Sequence, residues 1–133
     1  MYSIRVLVRF ADMDALAHVN NAVYHTFLEE ARIGLMNSLG IFRDPGKPGI
    51  AWILARTEID FRSPAVYGDA LAVTARVGEL RNRSFDMFHR ITRERDNQLI
   101  AEARAVLVCL DYASNKSVQI PEAWREKLGT AAA

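Results

Sequence analysis

Phe10-Ala-Asp-Met-Asp-Ala-Leu-Ala-His-Val-Asn-Asn-Ala-Val-Tyr24 joins two segments of different periodicity and decides how the rest of the chain is read. Upstream, Ile4, Val6, Val8 and Phe10 alternate with Ser3, Arg5 and Arg9, which predicts a strand over 2–10. Downstream, Tyr24, Phe27, Leu28, Ala31, Leu35 and Leu39 recur at three- and four-residue steps, which predicts a long amphipathic helix over 21–39. Asn20 is placed to cap that helix and Gly40 to end it in the left-handed conformation. The junction therefore brings Asp12, Asp14, His18, Asn20, Asn21 and Tyr24 to a helix N-terminus, a place where backbone N–H groups are free to bind negative charge.

Two Pro and two Gly lie in 41–49, which reads as a loop and a candidate gate to a binding cleft. Strand candidates follow at 50–62, 69–80, 84–95 and 99–111, broken at Ser63-Pro64, Asn82 and Asp96-Asn97. Short connections predict antiparallel hairpins between successive strands. The segment Pro121-Glu-Ala-Trp-Arg-Glu-Lys-Leu128 predicts a short helix with proline at its first position. One strand, one long helix and four more strands make a single α+β domain over 1–133. The economical packing is a curved five-stranded antiparallel sheet wrapped around the helix. Such a sheet leaves an open edge, so pairing with a second copy is expected.

Composition narrows the function classes. A net charge of +1 argues against a nucleic-acid binder, although Arg (14) far outnumbers Lys (3). No apolar run approaches the ~20 residues that span a membrane, and Met1-Tyr-Ser-Ile-Arg5 has no leader character. The lone Cys109, within Ala105-Val-Leu-Val-Cys-Leu110, reads as a small buried hydrophobe, and a reducing cytoplasm is the expected location. His25 and His89 have no supporting constellation and read as surface or interface residues.

The quoted junction, with Glu29-Glu-Ala-Arg32 after it, resembles the hotdog-fold acyl-CoA thioesterases of the 4-hydroxybenzoyl-CoA thioesterase branch. The segment His18-Val-Asn-Asn-Ala-Val-Tyr24 is especially similar to bacterial long-chain acyl-CoA thioesterases and to plant acyl-carrier-protein thioesterases. The resemblance implies a hotdog fold and hydrolysis of an acyl-CoA to a free acid and coenzyme A. It requires no cofactor beyond the coenzyme A of the substrate. It also implies that Asp14, the second aspartate of the motif, is catalytic, as nucleophile or as general base. The free N–H at Asn21, at the helix start, is then the carbonyl-polarising group. His18 matches a histidine of the plant enzymes, but Leu16 stands where their asparagine would be, so that triad is incomplete and His18 reads either as a catalytic assistant, an orienting hydrogen-bond donor or partner of Asp14, or as a loop-shaping residue. Asp12 reads as a loop-closing residue and Tyr24 as a pocket wall.

Glu79-Leu-Arg-Asn-Arg-Ser-Phe85 lies where the 4-hydroxybenzoyl-CoA enzyme carries a basic triplet against coenzyme A phosphates. Arg81, Asn82, Arg83 and Ser84 are thus candidate substrate contacts, with Asn82 costing one positive charge, and Arg62 is a further candidate. Tyr24, Phe27, Leu28, Trp52 and Leu54 are candidate walls for an apolar acyl or aryl group. Relatives of this kind form homodimers, often paired into homotetramers. Alternatives are an acyl-carrier-protein thioesterase and a non-catalytic acyl-CoA-binding module. A metal site from Asp12, Asp14 and His18 lacks further ligands at suitable spacing, and no Gly-x-Ser-x-Gly elbow for serine chemistry is present.

Overall fold

A computed structural model describes residues 1–41 and 49–132. The elements run β1 (Tyr2–Leu7), a 3-10 turn (Phe10–Asp12), α1 (Asn21–Ser38), β2 (Ile50–Phe61), β3 (Ala70–Leu80), β4 (Ser84–Arg93), β5 (Gln98–Asp111), β6 (Lys116–Ser117) and α2 (Glu122–Thr130). All strand pairs are antiparallel, in the order β1-β3-β4-β5-β2, with the short β6 added against β5. The described residues therefore form an α+β domain with a sheet of six strands rather than five. The proposed gate lies, apart from Ile41 and Gly49, outside the described residues.

α1 forms where the helical period begins. The Asn20 side chain accepts a hydrogen bond from the Ala22 N–H at 2.8 Å and caps the first turn. At the other end Ile41 N–H reaches the Met36 carbonyl and Gly40 N–H the Asn37 carbonyl, with Gly40 at φ +72°. That reciprocal pair is the Schellman ending, and it needs a residue that tolerates positive φ. Tyr24, Phe27, Leu28, Ala31, Leu35 and Met36 bury one face of α1 against β1 and β3. The ring of Tyr2 lies directly over Gly34, where a larger residue would collide. The sheet contributes Leu71, Val73, Ala75, Val77, Phe85, Met87, Ile91, Ala105 and Leu107 to the same core. At about 25 cal/mol per Å² of apolar surface removed from water, this burial is the main stabilising term.

Three expectations are corrected. β1 stops at Leu7, because Val8 N–H turns to the Asp69 carbonyl at 2.9 Å and Phe10 is left 79% exposed. β2 and β3 do not form a hairpin: β2 pairs with β5 at one edge, and β3 lies between β1 and β4 near the other. Alternation assigns a strand's faces but not its neighbours, and residues 62–69 cross the end of the sheet to make this connection. Pro121 is the residue before α2 rather than its first helical residue. The hairpins β3–β4 and β4–β5 form as expected. No described helix is long and apolar enough to cross a membrane.

Candidate active site

The crossing segment 62–69 and the junction before α1 meet at one end of the sheet. Arg62 and Ser63 N–H groups both bond the Ile100 carbonyl, at 2.8 and 3.1 Å, as the chain leaves β2. Val19 N–H then bonds the Ala65 carbonyl at 2.9 Å, and the Tyr24 hydroxyl accepts from Ala65 N–H at 3.1 Å. Between them lies a cleft of about 220 Å³ lined by His18, Val19, Asn21, Tyr24, Phe61, Arg62, Ser63 and Pro64. The sequence pointed to His18, Asn21, Tyr24 and Arg62, and the structure brings these four together. Beyond Arg62 it did not point to the crossing segment, since only the strand order shows that 62–69 passes over the helix start.

Asp14 sits in a tight turn whose geometry is explicit. Ala17 N–H bonds the Asp14 carbonyl and Asp14 N–H bonds the His18 carbonyl, both at 3.0 Å. Met13 and Val19 form an isolated bridge just outside, so the turn is a small hairpin with Ala17 at φ +61°. One Asp14 carboxylate oxygen accepts from Leu16 N–H at 2.9 Å, and the other makes no hydrogen bond among the described residues. The side chain is half-buried. The His18 ring is exposed and is not hydrogen-bonded to Asp14. Asn20 N–H bonds the Asp12 carbonyl at 3.0 Å, so Asp14 and the helix start belong to one closed loop. The Asn21 N–H, first in the helix, has no acceptor among the described residues.

Asp12 has the structural duty expected of it. It is 2% exposed, accepts from Arg9 N–H at 2.8 Å and from the Arg9 guanidinium at 2.8 Å. That guanidinium holds the Asp12 carboxyl below the usual carboxylate range. The loop closure was legible in the sequence, whereas the Arg9 partner was not. Among the described residues no three His, Cys, Asp or Glu side chains gather closely enough to hold a metal ion. Tyr24 is buried, packs edge-on to Phe27 and tilted on Phe61, and burial raises its hydroxyl pKa.

Arg62 lines the cleft but is also engaged, with Glu102 at 2.9 Å and Asp60 at 3.5 Å. Arg81, Asn82, Arg83 and Ser84 are elsewhere. Arg81 is held by Asp86 at 2.6 Å, Ser84 Oγ at 3.0 Å and Glu79 at 3.2 Å. Asp86 is itself buried and also bound by Arg104 at 3.1 Å. The Asn82 carbonyl accepts from Ile120 N–H at 2.9 Å. Arg83 is exposed and reaches the Ser117 carbonyl at 3.1 Å. The Arg83 carbonyl lies against Cys109 and Arg62 against Ile100, so the length of β5 from Ile100 to Cys109 separates them. At ~3.3 Å per residue that is roughly 30 Å. One chain does not bring the basic turn to the Asp14 junction.

One buried polar residue corrects the sequence reading, and a second adds to it. His89 is 1% exposed rather than at the surface; its Nδ1 lies 3.1 Å from the Thr74 carbonyl and its Nε2 has no partner among the described residues. Burial foremost, and the nearby Arg32 charge, push its pKa down to about 4. Arg32 is 4% exposed, with its pKa lowered by burial. It falls between Leu28 and Leu35 on the apolar stripe, and that spacing was the available signal. Cys109 is buried as expected, which raises its thiol pKa to about 11 and leaves it unreactive.

Residues 8–128 match the family model described as the thioesterase-like superfamily. The chain is 34% identical to the long-chain acyl-CoA thioesterase FadM of Escherichia coli K12, over 93% of this chain and 94% of that one. It is 31% identical to the solved structure of YbaW, a probable thioesterase from Escherichia coli, covering all of both chains with a TM-score of 0.83. A thioesterase from Thermus thermophilus, solved with coenzyme A and Zn, is 32% identical over 98% of this chain and 92% of its own, with a TM-score of 0.83. A family match over nearly the whole length, on this strand order and with this junction, has one consequence: the chain belongs to the thioesterase-like superfamily and is a hotdog-fold thioester hydrolase.

Proposed function

We propose that the chain hydrolyses acyl-CoA thioesters to a free carboxylic acid and coenzyme A, with Asp14 as the reacting carboxylate. The observation that carries this is a partly exposed carboxylate with one unbonded oxygen, in the same closed loop as the unpartnered Asn21 N–H. The thioester carbonyl oxygen is placed at the Asn21 N–H, where the helix dipole favours the charge that develops on it. One such donor is typically worth about 2.7–4 kcal/mol of barrier.

Two courses use the same geometry. As a base, Asp14 takes a proton from water as the water oxygen bonds to the carbonyl carbon; the carbon–sulfur bond breaks and the thiolate recovers a proton. As a nucleophile, Asp14 bonds to that carbon and expels the thiolate, and water then cleaves the mixed anhydride. His18 borders the cleft, where it is suited to orient the thioester or water by hydrogen bonding. Tyr24 holds the cleft wall, and Arg62 lies at its mouth.

The coenzyme A phosphates are assigned to Arg83, with Arg81, Asn82 and Ser84 shaping the turn around it. Because that turn is roughly 30 Å from the junction in one chain, the handle comes from a second copy. The exposed apolar residues Ile50, Leu54 and Phe61 on edge strand β2 support a homodimer with the sheet curled around α1, and pairing of dimers gives a homotetramer. Thiol release measured across short, long, branched and aromatic acyl-CoAs tests the assignment. Turnover of at least one class is expected; no release from any of them contradicts it.

A further inference from the structure

A second cleft, of about 360 Å³, opens farther along α1 between Glu29, Arg32, Ile33, Asn37, Trp52 and Leu54. Two of its residues, both largely buried, carry donors without acceptors among the described residues. Arg32 makes no hydrogen bond or ion pair among the described residues, and Glu29 acts on it only through its charge. Trp52 is 8% exposed, and its indole Nε1 is enclosed with no partner among the described residues. A guanidinium and an indole N–H can only donate, so neither can satisfy the other. Buried donors of this kind carry a desolvation cost that an incoming acceptor removes. Ile33 and Leu54 supply apolar walls, so the cleft combines apolar lining with a few converging donors, as small-molecule sites do.

Its position links it to the reaction. Asn21 and Arg32 fall on the same face of α1 at 3.6 residues per turn, and the helix rise between them is roughly 16 Å. An acyl group whose carbonyl sits at Asn21 and whose chain follows α1 ends at Arg32 and Trp52. Glu29 at the rim offsets the Arg32 charge, which favours a neutral oxygen over a second carboxylate.

We propose that Arg32 and Trp52 read a hydroxyl or keto oxygen at the far end of a medium or long acyl chain, making oxygenated acyl thioesters the preferred substrates. This rests on the thioester hydrolysis proposed above. The test compares kcat/KM for a chain-length series of unsubstituted acyl-CoAs with their terminal hydroxy, keto and carboxy counterparts. At the matching length, hydroxy or keto substrates are expected to exceed the unsubstituted one by roughly ten- to a hundred-fold. Trp52→Phe shrinks that ratio to within a few-fold. Equal constants throughout, or a preference for the carboxy series, overturn the proposal.

A binding measurement separates its failure from that of the hydrolase reading. In the wild-type protein, the Trp52 indole N–H resonance is expected to shift when the hydroxy acid binds and to stay in place with the unsubstituted acid. An unmoved resonance contradicts the proposal whether or not any thioester is cleaved. A shifted resonance without thiol release from any acyl-CoA upholds the pocket and overturns the reaction.

Discussion

The Tyr24 hydroxyl accepts a hydrogen bond from the Ala65 N–H at 3.1 Å, fastening the first turn of α1 to the segment that crosses the sheet end. Ala65 is fully buried, so no water replaces that acceptor. Tyr24→Phe therefore leaves a buried N–H unpaired and is expected to cost about 1–3 kcal/mol of stability, read as a lower urea midpoint. The same change lets the cleft wall move relative to Asn21, and kcat is expected to fall by roughly ten- to a hundred-fold. An unchanged midpoint and kcat would show that the contact positions nothing.

Ala17 occupies the left-handed position of the Asp14 hairpin, at φ +61°. A residue with a Cβ is disfavoured there by about 1–2 kcal/mol, part of which glycine loses again to unfolded-state entropy. Ala17→Gly is expected to keep activity and to raise stability by up to about 1 kcal/mol. Ala17→Val, β-branched at positive φ, is expected to lower both. Thermal melts and thiol-release rates on the pair check this, and the opposite order of stabilities would contradict the assigned turn.

His89 gives the fold an acid sensitivity. Its unfolded value is 6.5 and its folded value about 4, so between these pH values the unfolded chain binds the extra proton. The contribution to stability is therefore complete above 6.5 and falls as the pH drops towards 4, by an amount on the order of 3 kcal/mol. Asp12 and Asp86, both lowered below 3.8, add their losses only at more acidic pH. Unfolding midpoints of wild type and His89→Leu, followed from above 6.5 down to about 4, check this. The slope is expected in the first and absent in the second; equal slopes would assign the acid sensitivity to other groups.

Much of the fold was legible locally. The positions of Tyr24, Phe27, Leu28, Ala31 and Leu35 located α1 within a residue, with Asn20 and Gly40 marking its ends. The edge position of β2 was not legible, because its partner β5 lies far along the chain and its own alternation is equally compatible with a hairpin to β3. At the site, residue chemistry pointed to His18, Asn21, Tyr24 and Arg62, which meet in one cleft. It could not reveal the ion pair that occupies Arg81, nor the burial of His89, since those depend on what the sheet places opposite them.

Arg81 and Arg83 are expected to separate in their effects. Arg81 neutralises the buried Asp86, with Arg104 sharing the pairing. Arg81→Ala is expected to lower stability by about 1–3 kcal/mol, because Arg104 retains part of that pairing. The Arg83 side chain is exposed and, among the described residues, bonded only to Ser117, so Arg83→Ala is expected to leave the unfolding midpoint unchanged. Its KM for acyl-CoA should rise roughly two- to tenfold, with a weaker dependence on salt. A KM unchanged by Arg83→Ala would remove this turn from coenzyme A binding.

In the proposed reaction the Asp14 carboxylate does the chemistry while the helix start and cleft do the binding. Asp14→Asn keeps the side-chain oxygen that accepts from Leu16 N–H and removes only the charge and basicity. Single-turnover thiol release and acyl-CoA affinity, measured on that variant beside the wild type, separate the two roles. Turnover is expected to fall by at least about a hundred-fold with affinity and unfolding midpoint nearly unchanged; full turnover in Asp14→Asn would rule out Asp14 as the reacting carboxylate.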